Sequence, residues 1–376
     1  MEYVKCPVFV KDKEFKMKSI TEIDKNFKIE TEIQREGLVF FDPDQAPFKV
    51  YGVFKEDGAY RRMPKAVAEQ VSEGVVGLHT HAAGGRIRFV TDSPYVVVKV
   101  KMGTWRMAHF ALTGSAGFDM FAEYNGKHRY AGSFIPPVTF KNEYEAVKDF
   151  DLECAADNTC EKIITLNMPL YSTVVSVYIG LKEGSVLKEA PEYSNEKPVV
   201  YYGSSITQGG CASKPGSCYQ SILSRRFNLD YINLGFSGSA KAEDSMIDYI
   251  KGLDMSMFVY DYDHNAPDID HLRATHSKMF KAIREAHPEI PILILPRPRF
   301  YLTESDQQRF EIIHNTYLEA KANGDENVYF LTGKELMALV EDNGSVDGTH
   351  PTDSGFHSMA QAIGRVFEEI FAKGNK

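Results

Sequence analysis

Two regimes of hydrophobic patterning divide this chain near residue 190. Before it, short runs rich in β-branched and aromatic residues recur at Phe27 to Ile33, Leu38 to Phe41, Phe48 to Phe54, Arg86 to Val90, Tyr95 to Met102, Ile163 to Met168 and Val174 to Gly180. Gly, Pro, Asp and Asn turns separate them, the pattern of an antiparallel β-sandwich. Only Pro64 to Ser72 reads as a helix there. After Pro198, apolar runs at 198–202, 230–234, 255–261, 291–296 and 327–331 alternate with helical periods at about 217–227, 241–251, 269–286, 304–323 and 353–372. Such alternation predicts a parallel sheet with helices on both faces. Lys188 to Lys197, with Pro191 and Asn195, is the expected linker between a domain at 1–190 and another at 196–376.

Composition narrows the function classes. The chain has 376 residues, 43% hydrophobic and 25% charged, as expected of an ordinary two-domain globular protein. Its net charge of -9, with no long basic run, argues against a nucleic-acid partner and favours a small neutral or mildly polar substrate. No run approaches the ~20 apolar residues needed to cross a bilayer, so no membrane partner is expected. The amino terminus lacks the apolar core of a signal peptide. A cytoplasmic location is therefore expected, or secretion if a leader has been trimmed. Five cysteines, an odd and small number, point to free thiols, although Cys154 with Cys160, or Cys211 with Cys218, could close small loops. Neither His79-x-His81 nor His271 with His276 has partners at zinc-ligand spacing, so no metal and no cofactor are expected.

The candidate chemistry lies in the second half. Gly203-Ser204-Ser205-Ile206 follows the apolar run ending at Tyr202, and Asp347-Gly348-Thr349-His350-Pro351 lies near the other end of the same half. A serine hydroxyl is a poor nucleophile until a base accepts its proton, and that base needs a third group to fix its tautomer. Two further loops also leave apolar runs: Asn233-Leu234-Gly235-Phe236-Ser237-Gly238 and Val259-Tyr260-Asp261-Tyr262-Asp263-His264-Asn265. Ligands of parallel α/β sheets bind beyond the carboxyl ends of the strands, where all four loops fall. The α/β-hydrolase elbow G-x-S-x-G is excluded, because Thr207 and Ser239 stand where its closing glycine would be. No P-loop or G-x-G-x-x-G follows a strand.

Serine, glycine, asparagine and Asp/His in that order resemble the four blocks of the SGNH, or GDSL, hydrolase superfamily over about residues 196 to 373. The resemblance implies a flavodoxin-like three-layer fold. It also implies Ser205 as nucleophile, His350 as general base, Asp347 as its partner, and an oxyanion hole from the Ser205 and Gly238 backbone N–H groups and the Asn265 amide. The first block departs from the usual Gly-Asp-Ser in carrying Ser204 before Ser205, and motif position favours Ser205. Gly117-Phe118-Asp119-Met120-Phe121 resembles the Gly-x-Asp-Leu-Tyr signature of the branch with an appended, jelly-roll-like amino-terminal β-domain.

Ser204, His264, Arg297 and Arg299 are candidate substrate contacts. The two arginines leave the fourth strand between prolines, and could fork onto a substrate carboxylate or phosphate. Thr207 to Ser217 is expected to wall the pocket. The activity expected is a serine esterase that removes a short acyl group, acetyl first, from a carbohydrate or similar polar alcohol. A lysophospholipase or thioesterase using the same triad is the alternative, and a glycan-binding protein with a vestigial hydrolase domain is the alternative of another class. A small-molecule or glycan ester is the expected partner, with room left for a homo-oligomer.

Overall fold

The computed structural model describes residues 24, 28–30, 33–124, 126–150 and 160–374. Two antiparallel sheets and a small hairpin occupy the amino-terminal part. Their strands are β1 (Leu38–Phe41), β2 (Lys49–Tyr51), β3 (Phe54–Glu56), β4 (Ala59–Arg61), β5 (Arg86–Thr91), β6 (Tyr95–Thr104), β7 (Phe118–Tyr124), β8 (Lys127–Phe134), β9 (Glu143–Asp149), β10 (Lys162–Asn167), β11 (Ser172–Lys182) and β12 (Leu187–Lys188). One sheet runs β1-β11-β6-β9; the other runs β12-β5-β10-β7-β8, with β2 also paired to β5. Inward positions of both sheets, among them Phe89, Val96, Val98, Phe118, Ile164 and Ile179, share one buried apolar cluster. Burying each such side chain stabilises the fold by about 1.5–3 kcal/mol.

Several expectations for this part need correction. The run Phe48 to Phe54 is broken into β2 and β3 at Gly52, whose φ of +73° and close approach to the Gly84 carbonyl suit only glycine. The helix expected from Pro64 to Ser72 forms as α1 (Lys65–Val71), and Ser72 then accepts a hydrogen bond from the Val75 N–H to start α2 (Glu73–Leu78). β8 and β9 escape the hydrophobic pattern because their outward positions carry Lys, His, Arg and Glu. The run Phe27 to Ile33 lies partly outside the described residues and forms no strand within them. Cys6 and Cys154 lie outside them altogether. Cys160 is disulfide-bonded, against the free-thiol expectation, whereas Cys211 and Cys218 are free and buried.

The carboxy-terminal half builds one parallel sheet in the order β14-β13-β15-β16-β17, from β13 (Val199–Gly203), β14 (Tyr231–Gly235), β15 (Met257–Asp261), β16 (Ile292–Ile294) and β17 (Val328–Phe330). A four-residue α3 (Leu112–Ser115) belongs to the amino-terminal part. Helices α4 (Ser205–Gln208), α5 (Tyr219–Phe227), α6 (Asp244–Lys251), α7 (Ile269–Ala286), α8 (Glu304–Ala322), α9 (Gly333–Leu336) and α10 (Asp353–Gly374) alternate with the strands of the sheet. Both of its faces are covered. Val199 and Tyr201 of β13 pack with α5 and α10 residues such as Leu223 and Phe356, while Val200 and Tyr202 pack with Met246, Leu272 and Ile313 of α6, α7 and α8. Strands buried on both sides read as continuous apolar runs, which is why their positions were legible. No described helix is long and apolar enough to cross a membrane.

The two parts share buried contacts. Met63, Ala68, Val75 and Leu78 join the α6–α8 face of the parallel sheet. Arg86 pairs with Asp230 and donates to the Tyr231 carbonyl at 3.1 Å, with its guanidinium 3.8 Å from the Tyr231 ring centre. Arg62, wholly buried, donates to the carbonyls of Asn233, Gly235 and Leu78.

Candidate active site

Strand register brings the candidate loops to one edge. Gly203 pairs with Gly235 on one side and Asp261 on the other, so β13, β14 and β15 end together. A Cβ on Gly203 would lie 1.8 Å from Asp261 Oδ1, so glycine is needed for the strands to close there. The chain then turns into α4. Ser204 is fully buried: its N–H donates to Asp261 Oδ1 at 3.2 Å, and its hydroxyl accepts from the Ile206 N–H at 3.2 Å as the helix cap. Its hydroxyl is thereby occupied inside the fold, and the expectation that it touches substrate is corrected. Ser205, the first helical residue, directs Oγ to His350 Nε2 at 2.8 Å.

The Asp347–His350 loop is closed by a bridge between Ser345 and Pro351 and by a 2.8 Å bond from the Val346 N–H to the His350 carbonyl. Gly348, at φ +82°, makes the turn. Asp347 Oδ1 accepts from the Thr349 and His350 N–H groups at 3.0 and 2.8 Å, and Oδ2 lies 2.7 Å from His350 Nδ1. Partial burial pushes the Asp347 carboxyl up, but these bonds outweigh it and hold it at about 2. An ionised Oδ2 keeps the proton on Nδ1, which leaves Nε2 bare to accept one from Ser205.

Three N–H donors at the same strand ends have no acceptor among the described residues. The Ser205 N–H is one, an unpaired amide of the first helical turn. The Gly238 N–H is another, on a left-handed residue (φ +68°) with open space where a side chain would stand. Asn265 supplies the third: its Oδ1 accepts from the Ala240 N–H at 3.2 Å, which leaves its NH₂ unpaired. Such donors stabilise an alkoxide where they converge on it.

The other candidates fall differently. His264 lies close enough to His350 and Arg297 for their charges to act on it; burial, aided by both and opposed by Asp263, drives it down to about 4, so it is neutral at ordinary pH. Arg297 spans Asp263 at 3.0 Å and Asp306 at 2.6 Å, and Arg299 reaches Asp306 at 3.0 Å. Arg297 therefore forks onto two of the protein's own carboxylates, and Arg299 makes a single contact with one of them and stays partly exposed. Asp261, buried beneath the serine loop, is pushed up to about 7 by desolvation, and its Oδ2 has no partner.

The amino-terminal part contributes groups that no local pattern signals. His109 Nε2 stands 3.6 Å from Asp347 Oδ2, and the Phe110 ring meets His350 edge-on with centroids 5.9 Å apart. The Tyr171 hydroxyl donates to the Ser205 carbonyl at 3.4 Å. His81, driven down to about 3 by burial and then by Arg62 and His79, is neutral and accepts from Gln208 Nε2 at 3.0 Å; Gln208 Oε1 in turn accepts from the Ser237 N–H at 3.1 Å, beside Gly238. These contacts join residues 29 to 240 positions apart and on different elements, so spacing carries no trace of them. Asp119 was visible as a motif, and the structure places it, fully buried, against the loop that walls the serine. Of possible metal ligands, His109, Cys211 and His350 come together from three segments.

Two family models match the chain: the GDSL-like lipase/acylhydrolase family over residues 196–368, and the GxDLY amino terminus of SGNH-hydrolase-type esterases over residues 38–187. No curated protein matches it. A structure described as a GDSL-like lipase from Bacteroides ovatus is 26% identical, with a TM-score of 0.79 over 89% of this chain and 98% of the other. The salicylyl-acyltransferase SsfX3 of a tetracycline biosynthetic pathway shares the fold at 18% identity, with a TM-score of 0.71 over 90% of this chain and 98% of its own. An acetyl xylan esterase from the rumen bacterium Butyrivibrio proteoclasticus shares it at 12% identity, with a TM-score of 0.54 over 89% and 99%. With its strand-end serine, glycine, asparagine and Asp/His loops in order, residues 196–368 form a GDSL-like lipase/acylhydrolase domain, and residues 38–187 are the GxDLY amino terminus of SGNH-hydrolase-type esterases.

Proposed function

We propose that this protein is a serine esterase that removes a short acyl group, acetyl first, from a carbohydrate or similar polar alcohol. The observation that carries the reading is the hydrogen-bonded chain Ser205–His350–Asp347, at 2.8 and 2.7 Å, beside three unpaired N–H donors. In it, Ser205 Oγ attacks the ester carbonyl carbon as His350 Nε2 takes its proton, and Asp347 stabilises the imidazolium that forms. The carbonyl oxygen becomes an alkoxide, held by the Ser205 and Gly238 N–H groups and the Asn265 amide. Collapse expels the alcohol with the proton from His350, and leaves an acyl-Ser205 ester. Water, deprotonated by the same imidazole, then releases the acid.

A short, polar substrate suits the groups around the pair, His109, Phe110, Cys211 and His264, which mix aromatic and polar surface. The fold likeness to an acetyl xylan esterase supports the same choice. We read the amino-terminal sheets as a jelly-roll-like sandwich domain (1–190), and the 2-1-3-4-5 strand order of the other half as a flavodoxin-like, three-layer catalytic domain (196–376). The donors argue against a vestigial binding domain, since binding a glycan alone gives no use for an alkoxide site.

Release of p-nitrophenol from acetyl through octanoyl esters tests the reading. The native chain should prefer the shortest esters, and Ser205→Ala should lose at least about 10³-fold in kcat. Undiminished turnover in that variant would remove Ser205 from the mechanism, and a preference for octanoate would move the substrate to lipids.

A further inference from the structure

Three side chains from distant segments converge at the mouth of the serine site. His109, on the segment between β6 and α3, Cys211, on the loop after α4, and His350 each present one nitrogen or sulfur atom, all within 4.8 Å of one another. We propose that they form an inhibitory binding site for a soft divalent transition metal, zinc being the ion that best fits two imidazoles and a thiolate. The inhibition rests on the esterase reading above; the metal site itself does not.

The chemistry of the donor set is that of zinc, which binds imidazole nitrogen at about 2.0–2.1 Å and thiolate at about 2.3 Å. Tetrahedral ligand atoms then stand about 3.5 Å apart, so no pair in the cluster needs to close by more than about 1.3 Å. His109 can supply that movement, because its side chain is 42% exposed on a connecting segment. Asp347 already provides what metal-bound imidazoles commonly have, a carboxylate on the other ring nitrogen that aims Nε2 outward. Cys211 is held at φ +69°, a conformation that costs a non-glycine residue on the order of 1–3 kcal/mol and that clusters at functional positions.

Binding exchanges protons for metal. The thiol of Cys211 gives its proton to solvent as the Zn–S bond forms, and Nε2 of His350 gives its lone pair to the ion. Ser205 Oγ then has no acceptor for its proton, and the ester cannot be attacked.

Isothermal titration of zinc chloride into the chelator-stripped full chain should show one ion per chain, with binding weakened about tenfold or more in Cys211→Ser and in His109→Gln, and retained in Ser205→Ala. In the ester assay, zinc should inhibit the native chain reversibly, EDTA should restore turnover, and Cys211→Ser should keep its turnover in zinc that stops the native chain. Absence of the calorimetric event, or equal affinity in native, Cys211→Ser and His109→Gln chains, would overturn the site. Calorimetry needs no turnover, so a failed metal site and a failed esterase reading give different results. His109→Gln, at an exposed position, keeps the test informative if the Cys211 variant folds poorly.

Discussion

Asp119, fully buried in β7, accepts a 2.8 Å hydrogen bond from the N–H of Gly216 in the loop beside Ser205. Its other oxygen accepts from Asn167 Nδ2 at 2.7 Å, and Arg225, which donates to the Gly216 carbonyl at 2.8 Å and stacks 3.8 Å from the Phe121 ring centre, faces the same carboxylate. The signature aspartate of the amino-terminal part thus fastens the wall of the site in the other part. Gly216 is required in this contact, since a Cβ there would lie 2.5 Å from Asp119 Oδ2.

Replacing Asp119 by Asn turns one of its two acceptors into a donor that faces another donor. Leaving a buried group unpaired costs about 1–3 kcal/mol, so Asp119→Asn should unfold at lower urea with a loss in that range. An unchanged urea midpoint would show that the contact contributes nothing.

Asn265 is fixed by the Ala240 N–H so that its NH₂ remains to donate. Removing one alkoxide donor typically costs about 3 kcal/mol of transition-state stabilisation, so Asn265→Ala should lower kcat by about 10²-fold and leave KM within a few-fold. A matching rise in KM with kcat unchanged would assign Asn265 to ground-state binding instead.

Asp347 accepts from Nδ1 of His350, and its carboxyl lies at about 2, below any pH at which the base works. In Asp347→Asn the amide can turn its NH₂ to Nδ1, which moves the imidazole proton to Nε2 and points it at Ser205. That wrong tautomer should cost about 10⁴-fold in kcat. Because the Asp347 carboxyl lies at about 2, it should add no step of its own to the pH profile of the native chain between pH 4 and 8. A step in that range that disappears in Asp347→Asn would count against this role.

Asp261 has the opposite pH signature. Its folded pKa, about 7, lies above the unfolded carboxylate value of about 3.9, so between these values the native state holds a proton that the unfolded chain has released. Stability from this group is complete below about pH 4 and is lost as pH climbs to about 7. Asp261→Asn keeps an oxygen for the Ser204 N–H and the Thr207 hydroxyl, and puts its NH₂ where Oδ2 has no partner. Urea midpoints of native and variant chains across pH 4–8 should therefore diverge, with the variant relatively more stable at the alkaline end. Parallel curves would refute a neutral Asp261.

The sequence alone determined the parallel sheet, its five strands and five long helices, and the loops bearing Ser205, Gly238, Asn265 and Asp347/His350. These follow from local rules: fully buried strands are continuous apolar runs, amphipathic helices repeat every 3.6 residues, and ligand loops leave strand ends. β8 and β9 were hidden because their outward faces are charged, and β2 and β3 were fused because one apolar run conceals a glycine turn. Only the tertiary structure separated Ser204, spent as a helix cap, from Ser205, and set Arg297 against Asp263 and Asp306 and Arg299 against Asp306. It alone brought His109, Phe110 and Tyr171 to the serine and Asp119 to its loop. Those contacts depend on how sheets and loops from separate segments of the chain pack, and a local pattern holds no record of a partner carried on another segment.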